Sequence, residues 1–217
     1  MLTSPRVSQL VKGRRARTPE ALAQDRRREH QERGIVLRPK DDPTLVIRSV
    51  NDASAIFFMA GVWHIRESII VDVAGVSLYG HGQAILMRAE GFTGPMLHVT
   101  ANDVLLDGFV LDDDAGTGPA ARYENTVGGW IERLRILAGP GVVALGTGIH
   151  LVNARQCVVT RNWVEISAPP RTLAEIYLDD ASLDCSLVAN VCPGGVLSYL
   201  GGSGMELAGN IGTVVVR

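Results

Sequence analysis

Between Ile149 and Ile211 the apolar and polar positions repeat closely enough for three segments to be laid over one another. They are Cys157-Val158-Val159-Thr160-Arg161-Asn162-Trp163, Cys185-Ser186-Leu187-Val188-Ala189-Asn190-Val191 and Met205-Glu206-Leu207-Ala208-Gly209-Asn210-Ile211. Two earlier segments, Asp103 to Phe109 and Gly128 to Leu134, fit more loosely, with Gly108 and Arg133 in the Asn column. Successive column positions stand 25, 29, 28 and 20 residues apart. That is the period of a stacked solenoid, in which each unit buries its apolar face only against the next.

Three residues before the Asn column stand Leu105, Trp130, Val159, Leu187 and Leu207, and one after it stand Phe109, Leu134, Trp163, Val191 and Ile211. Both columns are wholly apolar and are read as the buried interior. Asp107, Glu132, Arg161, Ala189 and Gly209, just before the column, read as a solvent-facing corner. Asn162, Asn190 and Asn210 read as a ladder, because Asn tolerates a left-handed bend and stacked amides can hydrogen-bond along the axis. The predicted fold is all-β: a short right-handed parallel β-helix of about seven coils over residues 51–217, roughly 35 Å tall at about 4.8 Å per coil. Residues 1–50 form an N-terminal arm with one helix, expected at about 19–33.

Ahead of these coils, Ile35-Val36-Leu37 and Leu45-Val46-Ile47 predict short strands around the turn from Pro39 to Pro43. Ile56 to Met59 is apolar enough to plug the open end of a core, and Gly61 to Ile65, Ile69 to Val71, Val76 to Gly80 and Ile85 to Met87 read as further strands. Composition agrees with a solenoid: 217 residues, 46% hydrophobic, 24 glycines and 5% aromatics. A net charge of −2 gives no overall pull toward nucleic acid or membrane. The longest apolar stretch, Ala55 to Trp63, is about half of what a membrane span needs, and no secretory leader is expected. Three cysteines at these spacings match neither a zinc site nor an even disulfide framework. Cys157 and Cys185 share a column and are expected to touch, most simply as small buried side chains.

The arm has a different chemistry. Nine of the 21 Lys and Arg fall within residues 1–33, against four acids. Arg6, Lys12, Arg14, Arg15, Arg17, Arg26, Arg27 and Arg28 are the candidate docking residues. Thr18-Pro19-Glu20 starts the expected helix and Gly34 stops it, yet only Ala21, Leu22 and Ala23 offer it an apolar face. Such a helix is not expected to fold stably alone; of a solvated tail, a nucleic-acid arm and an arm that orders against another protein, the last is expected, since no aromatics interleave for base stacking. At the other end the apolar run of Ile211 to Val216 needs a neighbour to cover it, and outward positions such as Val104, Val110, Val158 and Val164 point the same way.

Catalysis on a glycan would need two carboxylates about 5–10 Å apart. The candidates are Asp112-Asp113-Asp114, Asp179-Asp180, Asp184, Glu165 and Glu175. The first triplet precedes a Gly-rich run and reads as a hydrated loop, and no spacing pairs Asp179 with Glu165. No Arg or Lys stands in register with these acids in adjacent coils, as a lyase base would. His30, His64, His81, His98 and His150 lack ligand spacing, and the short Gly motifs read as corners rather than phosphate cradles. No catalytic residue, metal or cofactor is expected.

Gly61-Val62-Trp63-His64-Ile65, a short strand, then Gly75-Val76-Ser77-Leu78-Tyr79-Gly80-His81-Gly82 and Ala84-Ile85-Leu86 together resemble the first coils of pectin-lyase-like β-helices, over about residues 55–217. The likeness implies fold more than function, since lyases, hydrolases and the spikes and fibres of tailed bacteriophages share it. Behind a basic arm, the short β-helix is similar to a phage virion protein. That resemblance implies a homotrimer, docking of residues 1–50 onto other virion proteins of capsid or tail, possible contact with host surface polysaccharide, and residence in the virion. A polysaccharide-degrading enzyme of the same fold is the alternative.

Overall fold

The computed structural model describes residues 34–50, 54–113, 118–138, 148–166, 175–199 and 203–216. The expected arm helix, its basic residues and Asp114 lie outside them. The chain from Arg33 onward is a parallel β-solenoid in which every strand pairs in parallel with the strand one turn away. Three stacks of strands form its walls. Stack A holds Ile35–Leu37, Ala55–Phe58, Ser77–Tyr79, Leu105–Asp107, Trp130–Glu132, Val158–Thr160, Ser186–Val188 and Glu206–Ala208. Stack B holds Gly61–Ile65, Ala84–Arg88, Val110–Asp112, Arg135–Ala138 and Trp163–Ile166; stack C holds Ile69–Val71, Leu97–Val99, Ala121–Glu124, Ile149–Val152 and Ile176–Leu178. About five turns carry all three strands rather than the expected seven. Beyond them Val191–Tyr199 runs on without a corner, pairing with Trp163 at its start and with Ile176–Leu178 at its end, and so merges stacks B and C.

Register decides which side chains are inside. Along stack A the inward file is Ile56, Leu78, Leu106, Ile131, Val159, Leu187 and Leu207, and its members from Ile56 to Leu187 are at most 1% exposed. The column proposed from the sequence slips by one residue in its first two segments: Leu105 and Trp130 pair with Val158 rather than Val159, and both are only half-buried on the outer surface. Because side chains alternate along a strand, a slip of one moves a residue to the other face.

The second column is corrected more sharply. Phe109 and Leu134, which are buried, stand in the file of Asn162, Asn190 and Asn210. Trp163, Val191 and Ile211 are aligned with one another and with Val110 and Arg135, but they face outward; Trp163 is 44% and Ile211 63% exposed. Each tight corner puts its left-handed residue just before the Asn, at Gly108, Arg133, Arg161, Ala189 and Gly209 (φ between 56° and 71°). At Gly108 an added Cβ would lie 3.2 Å from the His81 amide nitrogen, a tight contact at a positive φ that favours glycine there.

With its backbone relieved of the bend, the Asn turns inward. Asn162 donates to Asn190 Oδ1 (3.0 Å) and to the Ile131 carbonyl (3.1 Å); Asn190 donates to Asn210 Oδ1 (3.1 Å) and to the Val159 carbonyl (2.8 Å). Their side-chain oxygens accept the amides of Leu134, Asn162 and Asn190. Every polar atom of a buried side chain is thereby used, which is the condition for keeping it there.

The N-terminal end is closed differently from the expectation. Leu45 to Ile47 is not a strand: Asp42 accepts from the Leu45 amide, Pro43 opens the first turn, and Pro43–Ser49 is a helix. Three apolar residues satisfy either period, so the cap decides the outcome. The helix buries Ile47, and its Thr44 hydroxyl accepts the Ile70 amide from the edge strand of stack C. Ile56 to Met59, expected as a plug, falls mostly within the strand Ala55–Phe58, a full member of the first coil, where Phe58 packs against Trp63 and Phe109 (centroids 4.9 and 5.0 Å).

Candidate functional site

Stack C carries a file of polar and aromatic side chains on its outer face. Its strands alternate apolar-x-apolar, so Leu97, Val99, Ala121, Tyr123, Ile149, Leu151, Ile176 and Leu178 point inward and the residues between them point out. Four consecutive coils place His98, Arg122, His150 and Tyr177 in one outer file. Glu124, two residues beyond Arg122, faces the same way. The His98 ring donates Nε2–H to Glu124 (2.9 Å), and Arg122 Nη2 donates to the other carboxylate oxygen (3.1 Å). The His150 and Tyr177 rings meet edge to face, 4.8 Å between centroids.

At the corner below, Asn153 donates its side-chain amide to Asn125 (2.8 Å), and its backbone amide is received by both oxygens of Asp179 (3.0 and 3.1 Å). Burial, then the facing Arg122 guanidinium, holds the His150 imidazole down at about 4 against the opposite pull of Asp179 and Glu124. The ring is therefore neutral at pH 7, with one donor and one acceptor nitrogen. Arg122 Nε is buried and meets no acceptor among the described residues.

The outer face of stack B has the opposite character. One file reads Val62, Ile85, Val110, Arg135, Trp163, Val191 and Ile211; the parallel file reads His64, Met87, Asp112, Leu137 and Glu165. An open groove of about 450 Å³ at one end is lined by His64, Arg66, Met87, Glu90 and Asp112.

The acids expected as catalytic candidates have settled elsewhere. Asp113 is not on a hydrated loop: it is 3% exposed and bound by Arg88 Nε and Nη2, whose fork also donates to the carbonyls of Phe92, Gly94, Gly118 and Pro119. The expectation that no Arg stands beside these acids in an adjacent coil fails at this pair. Asp112 ends a stack B strand, Glu165 accepts from Trp163 Nε1 (3.3 Å), Glu175 is buried, and Asp180 and Asp184 are exposed at corners. Asp179 receives Asn153 and the Ser182 hydroxyl (2.7 Å), far round the wall from Glu165 on stack B. On stack A, Arg133 binds Asp107 (2.7 Å) and reaches Glu132 (3.5 Å), which raises the guanidinium pKa.

Of the outward valines expected, Val110 and Val158 are on the surface, whereas Val104 and Val164 are in the core. The thiols of Cys157 and Cys185 are free and buried; Cys157 donates to the Arg155 carbonyl (3.4 Å) and Cys185 to that of Leu183 (3.3 Å), and the interaction between the two thiols draws Cys157 down and pushes Cys185 up. Among the described residues no three His, Cys, Asp or Glu side chains converge as a metal site, and no helix is long and apolar enough to cross a membrane.

The stack C file leaves no signal in the acids or in histidine spacing within one segment. The signal lay in aligning Leu97-His98-Val99, Ala121-Arg122-Tyr123, Ile149-His150-Leu151 and Ile176-Tyr177-Leu178, a third repeat with polar centres.

No family model matches the chain, and no curated protein is similar to it. Among solved structures it is similar to a putative glycosyl hydrolase from Parabacteroides merdae, at 9% identity, with a TM-score of 0.56 over 84% of this chain and 98% of the other. At that identity the likeness is one of fold.

Proposed function

We propose that the chain is a non-catalytic structural subunit of virion kind: a β-helical spike, fibre or decoration element. Three copies pack through the outer face of stack B, and residues 1–50 dock onto capsid or tail. The observation that carries this reading is the outward file of stack B, where Val62, Trp163 and Ile211 are 40–63% exposed and Ile85, Val110 and Val191 are half-buried in line with them. An outward file with six apolar residues in seven positions, interrupted at Arg135, marks a surface suited to cover by another chain. Arg135 in the stripe and Asp112 and Glu165 beside it supply opposite charges with which a second copy could fix its register. The concentration of Arg and Lys in residues 1–33 supports the docking role. Light scattering on the full chain tests this: three times the chain mass is expected, falling to one in Trp163→Glu with the β-sheet circular dichroism signal unchanged. A wild-type monomer at all concentrations sinks the reading. Deleting residues 1–33 should abolish incorporation into the assembly and leave the solenoid folded.

A second reading, a polysaccharide lyase or hydrolase, draws on the name of the Parabacteroides protein and on the carboxylates Glu124 and Asp179 beside the stack C file. Release of reducing ends or unsaturated sugars from a polysaccharide, abolished by Glu124→Gln, would establish it. Substituting Asp113 would not, because losing its bond to the buried Arg88 disturbs the fold itself.

A further inference from the structure

We propose that Cys157, Cys185 and Met205 form a site for a soft monovalent cation of the Cu(I) class, held between the two thiolates inside the solenoid with the thioether as third ligand. The inference concerns the interior of the coils and does not depend on how the chain assembles.

The three sulfur-bearing residues hold one register position in successive coils. Val158, Ser186 and Glu206 are paired partners in stack A, and the residues just before them are Cys157, Cys185 and Met205. The Ser186 amide donates to the Cys157 carbonyl (2.8 Å) and the Glu206 amide to the Cys185 carbonyl (3.0 Å), so the alignment extends to the cysteines. Both cysteines are at most 1% exposed, and Met205 is half-buried against the same core, so the file runs from the interior toward the surface.

The spacing suits a bridging ion. Each thiol donates to the carbonyl two residues before it, Cys157 to Arg155 and Cys185 to Leu183. In that shared posture the two sulfurs repeat at the coil spacing of about 4.8 Å. A metal–thiolate bond is about 2.3 Å long, so an ion midway between two thiolates needs them about 4.6 Å apart. A disulfide would need them at about 2.05 Å.

Ligand chemistry narrows the choice of ion. Thiolate and thioether sulfur select soft cations. Zinc takes four ligands, and among the described residues no three His, Cys, Asp or Glu side chains converge. A monovalent ion of low coordination number is satisfied by two thiolates and a thioether. On binding, the ion enters as Cu(I), both thiol protons leave to solvent, two S–Cu bonds replace two S–H bonds, and no oxidation state changes. The hydrogen bonds given up are weak, because a thiol is a poor donor. The Thr126 hydroxyl, 3.8 Å from the Cys157 sulfur, can donate to it once its proton has gone. Cys192, the other buried thiol, lies on Val191–Tyr199 outside this file and takes no part.

An anaerobic titration of the reduced full chain tests the site, with Cu(I) supplied as its acetonitrile complex and bathocuproine disulfonate as the competing chelator. One Cu(I) per chain should be withheld from the chelator. Cys157→Ser and Cys185→Ser should each lower the affinity at least a hundredfold and Met205→Leu about tenfold, with Cys192→Ser at the wild-type value and circular dichroism unchanged throughout. The wild-type melting temperature should rise with Cu(I), because the ion clamps adjacent coils and binds only the folded chain. X-ray absorption on the wild type, which needs no variant to fold, should show sulfur neighbours alone. No retained copper, retention unchanged by both Cys157→Ser and Cys185→Ser, retention lost in Cys192→Ser, or nitrogen and oxygen neighbours in the absorption spectrum overturns the site.

Discussion

Stacks B and C are built from the same coils, pair in the same parallel register and bury the same kind of inward files, yet their outer faces share almost nothing. Stack B turns out Val62, Ile85, Val110, Trp163, Val191 and Ile211; stack C turns out His98, Arg122, His150 and Tyr177. The inward positions are fixed by the need to fill the interior, so they tell of the fold alone. Outward positions are free of that demand, and a file of one prevailing chemistry, apolar but for Arg135 on stack B and polar or aromatic over four coils on stack C, is shaped by what the wall faces. An apolar stripe is suited to another protein chain, and a line of polar rings with mixed donors and acceptors is suited to a hydrated ligand.

The comparison can be attacked first through the frame both faces share. Replacing Asp113 by Ala strands the Arg88 guanidinium in the core and should cost about 3–5 kcal/mol in urea unfolding. Ile131→Ala, in the inward file, should cost about 2–5 kcal/mol, while the neighbouring outward Trp130→Ala costs clearly less in the same titration. Equal effects would mean that the alternation between faces is wrong. Asn190→Ala removes the middle of the ladder and leaves Asn162 and Asn210 short of partners, so a loss of about 1–3 kcal/mol is expected by thermal melts.

A smaller effect reports on the outer face of stack C. The unfolded His150 imidazole titrates near 6.5 and the folded one near 4, so between those values the unfolded chain holds the extra proton. Its contribution to stability is complete above pH 6.5 and is lost as the pH falls toward 4. Melting temperature should therefore drop over that window, and less steeply in His150→Gln; parallel profiles would refute the buried neutral ring. Smallest of all is Trp163→Ser, which should change the unfolding free energy of the dissociated chain by no more than about 0.5 kcal/mol while abolishing its association.

The repeat itself was legible because apolar residues, left-handed corners and Asn recur at a solenoid period. The class of fold and the Asn ladder follow from that recurrence. What failed was the phase. The column holding Trp163, Val191 and Ile211 is apolar yet faces outward, and hydrophobicity alone does not tell an interior file from an exterior one. The loosely fitting segments around Gly108 and Arg133 hid the slip, since Phe109 and Leu134 replace Asn in the ladder file and look like core. Leu45 to Ile47 went astray because a cap of Asp42 and Pro43 outweighed a β-prone triplet. The outer file of stack C was hidden because each of its residues sits alone in sequence, 24 to 28 positions from the next, and only the coils bring them together.

The difference between the two faces is measured most directly by hydroxyl-radical footprinting of the full chain, read residue by residue with mass spectrometry. In the assembled protein Trp163, Val191 and Ile211 are expected to be protected and His150 and Tyr177 to be labelled, with the protection of Trp163 disappearing in Trp163→Glu or on dissociation. Equal labelling of the two faces, at concentrations where the protein is assembled, would contradict the assignment of stack B to a neighbouring copy and of stack C to the outside.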